Sequence, residues 1–112
     1  MRGWVALIAM LAGASPALAD WQRMTGAEIS AALSEVRLEY DRASQVFYAS
    51  GRTLYDSGRP SWGYWEVRGD QFCSQWPPAD GWACYDMDRE TDTGALRFVG
   101  TSGDVTEGVI AD

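Results

Sequence analysis

Short runs of β-type residues recur along most of this chain at intervals of about 8 to 12 positions, each ended by residues that turn the backbone. The runs cover residues 45–49, 52–55, 62–67, 71–76, 82–87, 95–99 and 105–110. Between them stand Ser50 and Gly51, then 56–60, Arg68-Gly69-Asp70, 77–81, 91–94 and 101–104, all rich in Gly, Asp, Ser, Thr or Pro. Such residues supply left-handed backbone, a preset φ or a local side-chain hydrogen bond, so each connector reads as a tight turn. Regular short strands with turns of this kind argue for an up-and-down antiparallel meander that curls into a small barrel or half-barrel.

One helix precedes the meander. Thr25-Gly26-Ala27-Glu28 has the spacing of a capping box, in which the Thr25 hydroxyl and the Glu28 carboxylate each satisfy the other's backbone amide. Behind it Ile29, Ala32, Leu33 and Val36 recur at helical spacing, which predicts a short amphipathic helix over about 26–35. The period then changes to two: Val36, Leu38 and Tyr40 alternate with Arg37, Glu39 and Asp41, as in a half-buried strand or a helix-to-strand handover. The expected fold is therefore mainly β, about 6–8 strands with one short N-terminal helix plugging or flanking them. No repeat and no linker divides it.

The amino terminus reads differently. Arg2 is followed by an apolar run from Trp4 to Ala12, then by small residues ending in Ala17-Leu18-Ala19. A cation, a short apolar core and a small-x-small site are the grammar of a secretory leader, with cleavage placing Asp20 first. A spanning helix needs about 20 apolar residues, and this core offers about half of that before Pro16. No cysteine lies near the junction to carry a lipid. Residues 1–19 are thus expected to be a signal peptide and 20–112 a single domain, periplasmic or secreted, with no integral membrane segment after cleavage.

Removing 19 of 112 residues leaves 93, a size at which folding hides only about 60% of the chain's surface and a covalent staple helps. The two cysteines, Cys73 and Cys84, form an even set in an exported chain and read as a disulfide. If they stand opposite each other, residue numbers across this hairpin sum to 157, pairing Phe72 with Tyr85 and Ser74 with Ala83. Alternation then gives Phe72, Trp76, Tyr85 and Met87 one face, expected to be core. The disulfide shares the other face with Gln71, Gln75, Trp82 and Asp86, and is expected near the surface with Trp82 against it.

Charge and missing residue types narrow the chemistry. The chain carries 16 acidic residues and a net charge of −7, and loss of Arg2 takes the mature form to −8. Nucleic acid is excluded as a partner and anionic lipid disfavoured, because both are bound through excess cations; a basic protein remains compatible. There is no histidine and no lysine, so the usual general base, the commonest metal ligand and any Schiff-base amine are missing. With the cysteines paired, no thiolate remains. No catalytic residue, no metal and no cofactor is expected.

Seven aromatic residues fall between Trp62 and Tyr85, including Trp62, Tyr64 and Trp82. On the strand over 62–67, Trp65 and Val67 face one way and Trp62 and Tyr64 the other. Such rings either fill a small core or offer a stacking platform to a sugar ring or a partner's side chain. Asp86, Asp88, Glu90 and Asp92 alternate towards Gly94, but the spacing lacks the glycine and glutamate of a calcium loop. Alternate acids on the outer face of a strand explain the same pattern. Paired carboxylates of a small hydrolase would need two acids about 5 to 10 Å apart in a cleft.

The stretch from Gly51-Arg52-Thr53-Leu54-Tyr55 through Gly63, Trp65, Val67, Gly69, Cys73 and Trp76 to Trp82-Ala83-Cys84-Tyr85 resembles a family of small secreted bacterial β-domain proteins. That resemblance implies a location and a fold, without an activity. A weaker similarity links Ala49-Ser50-Gly51-Arg52 and Tyr55 to the periplasmic C-type lysozyme inhibitors, small disulfide-bearing β-barrels that insert a Ser-Gly loop into the active site of a basic lysozyme. Here the tyrosine falls one residue late and both cysteines lie in one hairpin. The expected function is a non-enzymatic binding or envelope-associated module, its partner a basic protein or an envelope glycan. The candidate binding residues are Trp62, Tyr64, Trp82, Ser50, Tyr55 and Arg52. Lysozyme inhibition and a small carboxylate hydrolase are the alternatives.

Overall fold

The computed structural model describes residues 19–111, so the expected leader lies outside the described residues except for Ala19. The described chain forms β1 (Trp21–Arg23), α1 (Gly26–Leu33), β2 (Val36–Glu39), β3 (Ser44–Phe47), β4 (Arg52–Asp56), β5 (Pro60–Arg68), β6 (Gln71–Gln75), β7 (Trp82–Glu90), β8 (Leu96–Val99) and β9 (Val105–Ile110). From β2 to β9 each strand pairs antiparallel with the next. Strand β9 then returns to β2 through Leu38↔Ile110 and Glu39↔Val109. The meander closes fully into an eight-stranded barrel, and closure removes the free edges that would invite aggregation.

Strand β1 lies beyond the barrel and is absent from the sequence reading, since three residues carry no usable period. It pairs with the last residues of β7, through Trp21↔Glu90, Gln22↔Arg89 and Arg23↔Asp88. Strand β7 is long enough to serve two partners along one edge: Trp82 to Tyr85 pair with β6 and Asp88 to Glu90 with β1.

Helix α1 carries the expected capping box, with Glu28 N–H donating to Thr25 Oγ1 at 3.3 Å and Thr25 N–H donating to Glu28 Oε1 at 2.8 Å. It ends at Leu33, earlier than its spacing predicts, because Glu35 has φ +62° and leaves helical geometry. The Glu35 amide then donates to Phe47 O at 2.7 Å and starts the β2–β3 ladder, so the handover is abrupt. The helix plugs one end of the barrel: Ile29 and Leu33 are fully buried in a core with Met24, Phe47, Trp65 and Phe72. Asp70 fastens the plug from the β5–β6 turn by accepting the Gly26 amide at 2.7 Å.

The hairpin register is the expected one, with Cys73↔Cys84, Phe72↔Tyr85 and Ser74↔Ala83 paired and the disulfide formed. Phe72 and Met87 are buried. The bond is not wholly near the surface, however: Cys73 is fully buried and Cys84 half-buried. The reason is that Cys73 has paired neighbours on both sides, Glu66 on β5 and Cys84 on β7.

Candidate functional site at the open end of the barrel

Because strands alternate direction, the four turns β2–β3, β4–β5, β6–β7 and β8–β9 gather at the end opposite α1. There the barrel interior opens into a cavity of about 370 Å³. Phe72, Tyr85 and Phe98 reach it from the core, and the Phe72 and Phe98 ring centroids lie 5.0 Å apart. Tyr40, Tyr55 and Trp76 contribute further aromatic lining, with Tyr55 standing 6.2 Å from each of the other two rings. Gln45, Ser61, Ser74, Asp104 and Thr106 complete the lining.

Two inward-facing glycines shape this space. A Cβ at Gly63 would stand 2.5 Å from Trp76 Cε3, and one at Gly108 would stand 2.8 Å from Tyr40 Cδ1. Each ring therefore lies across a stretch of backbone where only glycine leaves room. The part these glycines play in shaping the cavity is not anticipated from the sequence; the usable signal is an inward-phase glycine on a strand beside an aromatic-bearing neighbour.

Several polar groups of the cavity are committed to one another, while the Tyr55, Ser61, Tyr85 and Thr106 hydroxyls bond to no protein group among the described residues. Tyr40 Oη donates to Gln45 Oε1 at 2.7 Å, Gln45 Nε2 donates to Thr53 Oγ1 at 2.9 Å, and Thr53 Oγ1 donates to Val46 O at 2.8 Å. Burial, reinforced by Tyr55, pushes the Tyr40 phenol well above its ordinary value, so it stays protonated and remains the donor. Trp76 Nε1 donates to Ser74 Oγ at 3.2 Å. Asp104 is held by the Ser102 hydroxyl at 2.6 Å and is the one carboxylate in the lining, which contains no arginine among the described residues. A second cavity of about 400 Å³ adjoins the first across Tyr40, Tyr55 and Thr106.

Of the six candidate residues, Tyr55 lies in this cavity. Arg52, Trp62 and Tyr64 stand on the outer wall, where the Arg52 guanidinium covers the Trp62 ring at 4.5 Å and Tyr48 stacks on Trp62 at 5.9 Å. Trp82 is on the wall too, with Arg68 over its ring at 4.6 Å. Ser50 sits in the β3–β4 turn at the plugged end, its hydroxyl accepting the Arg52 amide at 3.3 Å. Ser50 and Tyr55 therefore occupy opposite ends of β4. Phe72, Trp76 and Tyr85, expected as core, form the aromatic lining of the cavity as well.

The alternating acids of β7 are engaged by other groups. Asp88 lies between its register neighbours Arg23 and Arg97, bonded at 2.7 and 3.0 Å. Burial pushes its carboxyl up, but these hydrogen bonds and the two positive charges more than reverse that, leaving it below the ordinary aspartate value. Asp86 pairs with Arg23 at 3.1 Å. Glu90 accepts the amides of Thr93, Asp92 and Asp20, and the Thr93 and Asp20 amides lead in holding it below the ordinary glutamate value.

The fold and this mouth define a small closed antiparallel barrel, plugged by a helix at one end and open at the other. No protein-family model, no curated protein and no solved structure matches the chain. Among the described residues no helix is long and apolar enough to cross a membrane, and the formed disulfide fits an oxidising compartment.

Proposed function

We propose that the mature protein is an exported, non-enzymatic binding module that takes a small organic ligand into the open end of its barrel. The observation that carries this reading is the cavity of about 370 Å³, lined by six aromatic rings and five polar side chains. Ligand sites are concave, largely apolar and preformed, and begin at about 300 Å³; an eight-stranded barrel encloses space for one small ligand. The single lining carboxylate and the lack of histidine and lysine favour binding over catalysis.

Titration with the neutral fluorophore N-phenyl-1-naphthylamine tests it. Wild-type protein is expected to enhance its emission, and Ser61→Trp or Thr106→Trp, which fill the mouth, to abolish the enhancement while circular dichroism stays native. Equal emission with wild type and both variants overturns the reading.

A second reading, inhibition of a basic lysozyme, is favoured by the acidic charge through electrostatic steering. It predicts that stoichiometric mature protein suppresses lysis of a bacterial suspension and that Ser50→Ala weakens this. Unimpeded lysis removes it.

A further inference from the structure

We infer that the ligand class of this mouth is a small organic cation, a quaternary ammonium or an alkylated amine; this rests on the binding reading above. Tyr40, Tyr55 and Trp76 bring three π systems together, Tyr55 and Trp76 meeting at 75° and Tyr55 and Tyr40 at 33°. Aromatic faces attract a cation within about 6 Å of the ring centroid, most strongly when water is excluded. Asp104, fixed by Ser102, adds the one formal charge of the lining, and it is negative. An anion finds the opposite of what it needs. No arginine lines the cavity among the described residues, and the Tyr40 hydroxyl and Trp76 indole N–H are already spent on Gln45 and Ser74.

The test uses the full mature protein with choline and its neutral isostere 3,3-dimethyl-1-butanol, which share shape and differ in charge, followed by calorimetry and Trp fluorescence. Choline is expected to bind at least about tenfold more tightly, in keeping with the energy of a desolvated cation over aromatic faces. Asp104→Asn should cut choline affinity several-fold and leave the alcohol unchanged. If the alcohol binds as well as choline, the cation inference falls and the binding reading stands. If neither binds while N-phenyl-1-naphthylamine also fails, both fall.

A different observation carries a second inference, which rests on the leader reading. Asp20 N–H donates to Glu90 Oε2 at 3.1 Å, and Asp20 O accepts the Thr91 amide at 3.0 Å, so the residue after the expected cleavage point is held on β7 from both of its backbone groups. Ala19 is exposed. Hydrolysis of the Ala19–Asp20 amide breaks the C–N bond, puts the water oxygen on the Ala19 carbonyl carbon and leaves an amine on Asp20 that takes up a proton. The structure assigns that new ammonium to Glu90, which is only 6% exposed and already gathers the Asp92 and Thr93 donors. Processing thus replaces an amide-to-carboxylate hydrogen bond with an ammonium–carboxylate pair, in which the donor is charged as well as the acceptor, and locks β1 onto the barrel.

Mass spectrometry of the exported product and hydrogen exchange of the β1 amides test it. The product is expected to begin at Asp20, with its β1 amides several-fold better protected than in a form retaining Ala19 or in Nα-acetylated mature protein. A product beginning elsewhere overturns the leader reading and the lock together; a start at Asp20 with equal protection in all three forms overturns the lock alone.

Discussion

The two ends of this barrel are built from the same strands and differ in what fills them. At the plugged end Ile29, Leu33 and Phe47 are fully buried, and Phe47 meets Trp65 edge-on with centroids 5.7 Å apart. At the open end the inward positions are Tyr40, Gln45, Tyr55, Ser74, Trp76 and Thr106, and space remains between them. The apolar end offsets the entropy of folding, whereas the mouth bonds Tyr40 to Gln45 and Trp76 to Ser74 and leaves space among its rings. On the proposed binding reading, the difference separates stability from recognition along the barrel axis, within strands only four to nine residues long.

That separation can be broken most directly at Phe47. Truncation to Ala should cost about 3–5 kcal/mol, as large core deletions do, read as a lower urea midpoint; the same truncation at Tyr55 should cost far less and remove ligand binding. Equal losses at both sites would dissolve the distinction. Next in size is the staple of the side wall: the Cys73→Ala/Cys84→Ala double variant should lose about 3 kcal/mol by the chain-entropy model, with the mouth still able to bind at temperatures where the variant stays folded. Gly63→Ala, which drives a methyl into the Trp76 ring and the Gln75 carbonyl, should cost about 1–3 kcal/mol by overpacking. Unlike the plug variants it should also shift Trp emission and weaken ligand binding. Thr25→Ala, removing the cap of the plug, should cost about 1 kcal/mol and leave binding intact.

The smallest effect is on pH. Asp88 and Glu90 are both held below their ordinary values in the folded protein. A carboxyl lowered on folding contributes stability that is present above its unfolded value of about 4 and is lost as pH falls through the folded value. The thermal midpoint should therefore be flat from neutrality down to about pH 5 and decline below about pH 4, and Asp88→Asn should flatten part of that decline. An unchanged acid limb in Asp88→Asn would show that the Arg23–Asp88–Arg97 triad does not set it.

Much of the barrel was legible because its determinants are local. Alternation marked the strands, Thr25 and Glu28 marked the helix start, and the cysteine pair set a register that the structure reproduces from Phe72 to Gln75. The mouth was much less so. Phase alone assigned Trp76 and Tyr85 to the interior, but whether an interior ring is packed or lines a cavity depends on what the opposite wall contributes. Tyr40 and Thr106 read only as strand residues and Asp104 only as a turn residue, because they meet Tyr55 and Trp76 only after the barrel has closed. Trp62, Tyr64 and Arg52 stood out by composition, and the fold places them on the outer wall, away from Tyr55.

By itself the sequence determined the β class, the single capped helix, the turn positions, the disulfide partners and the acidic, imidazole-free chemistry, since each depends on spacing within a few residues or on composition. Only the tertiary structure decided that β9 meets β2, that α1 closes one end, and that a cavity is left at the other. Those outcomes depend on how side-chain volumes from distant strands sum across the barrel, and no local period records that sum.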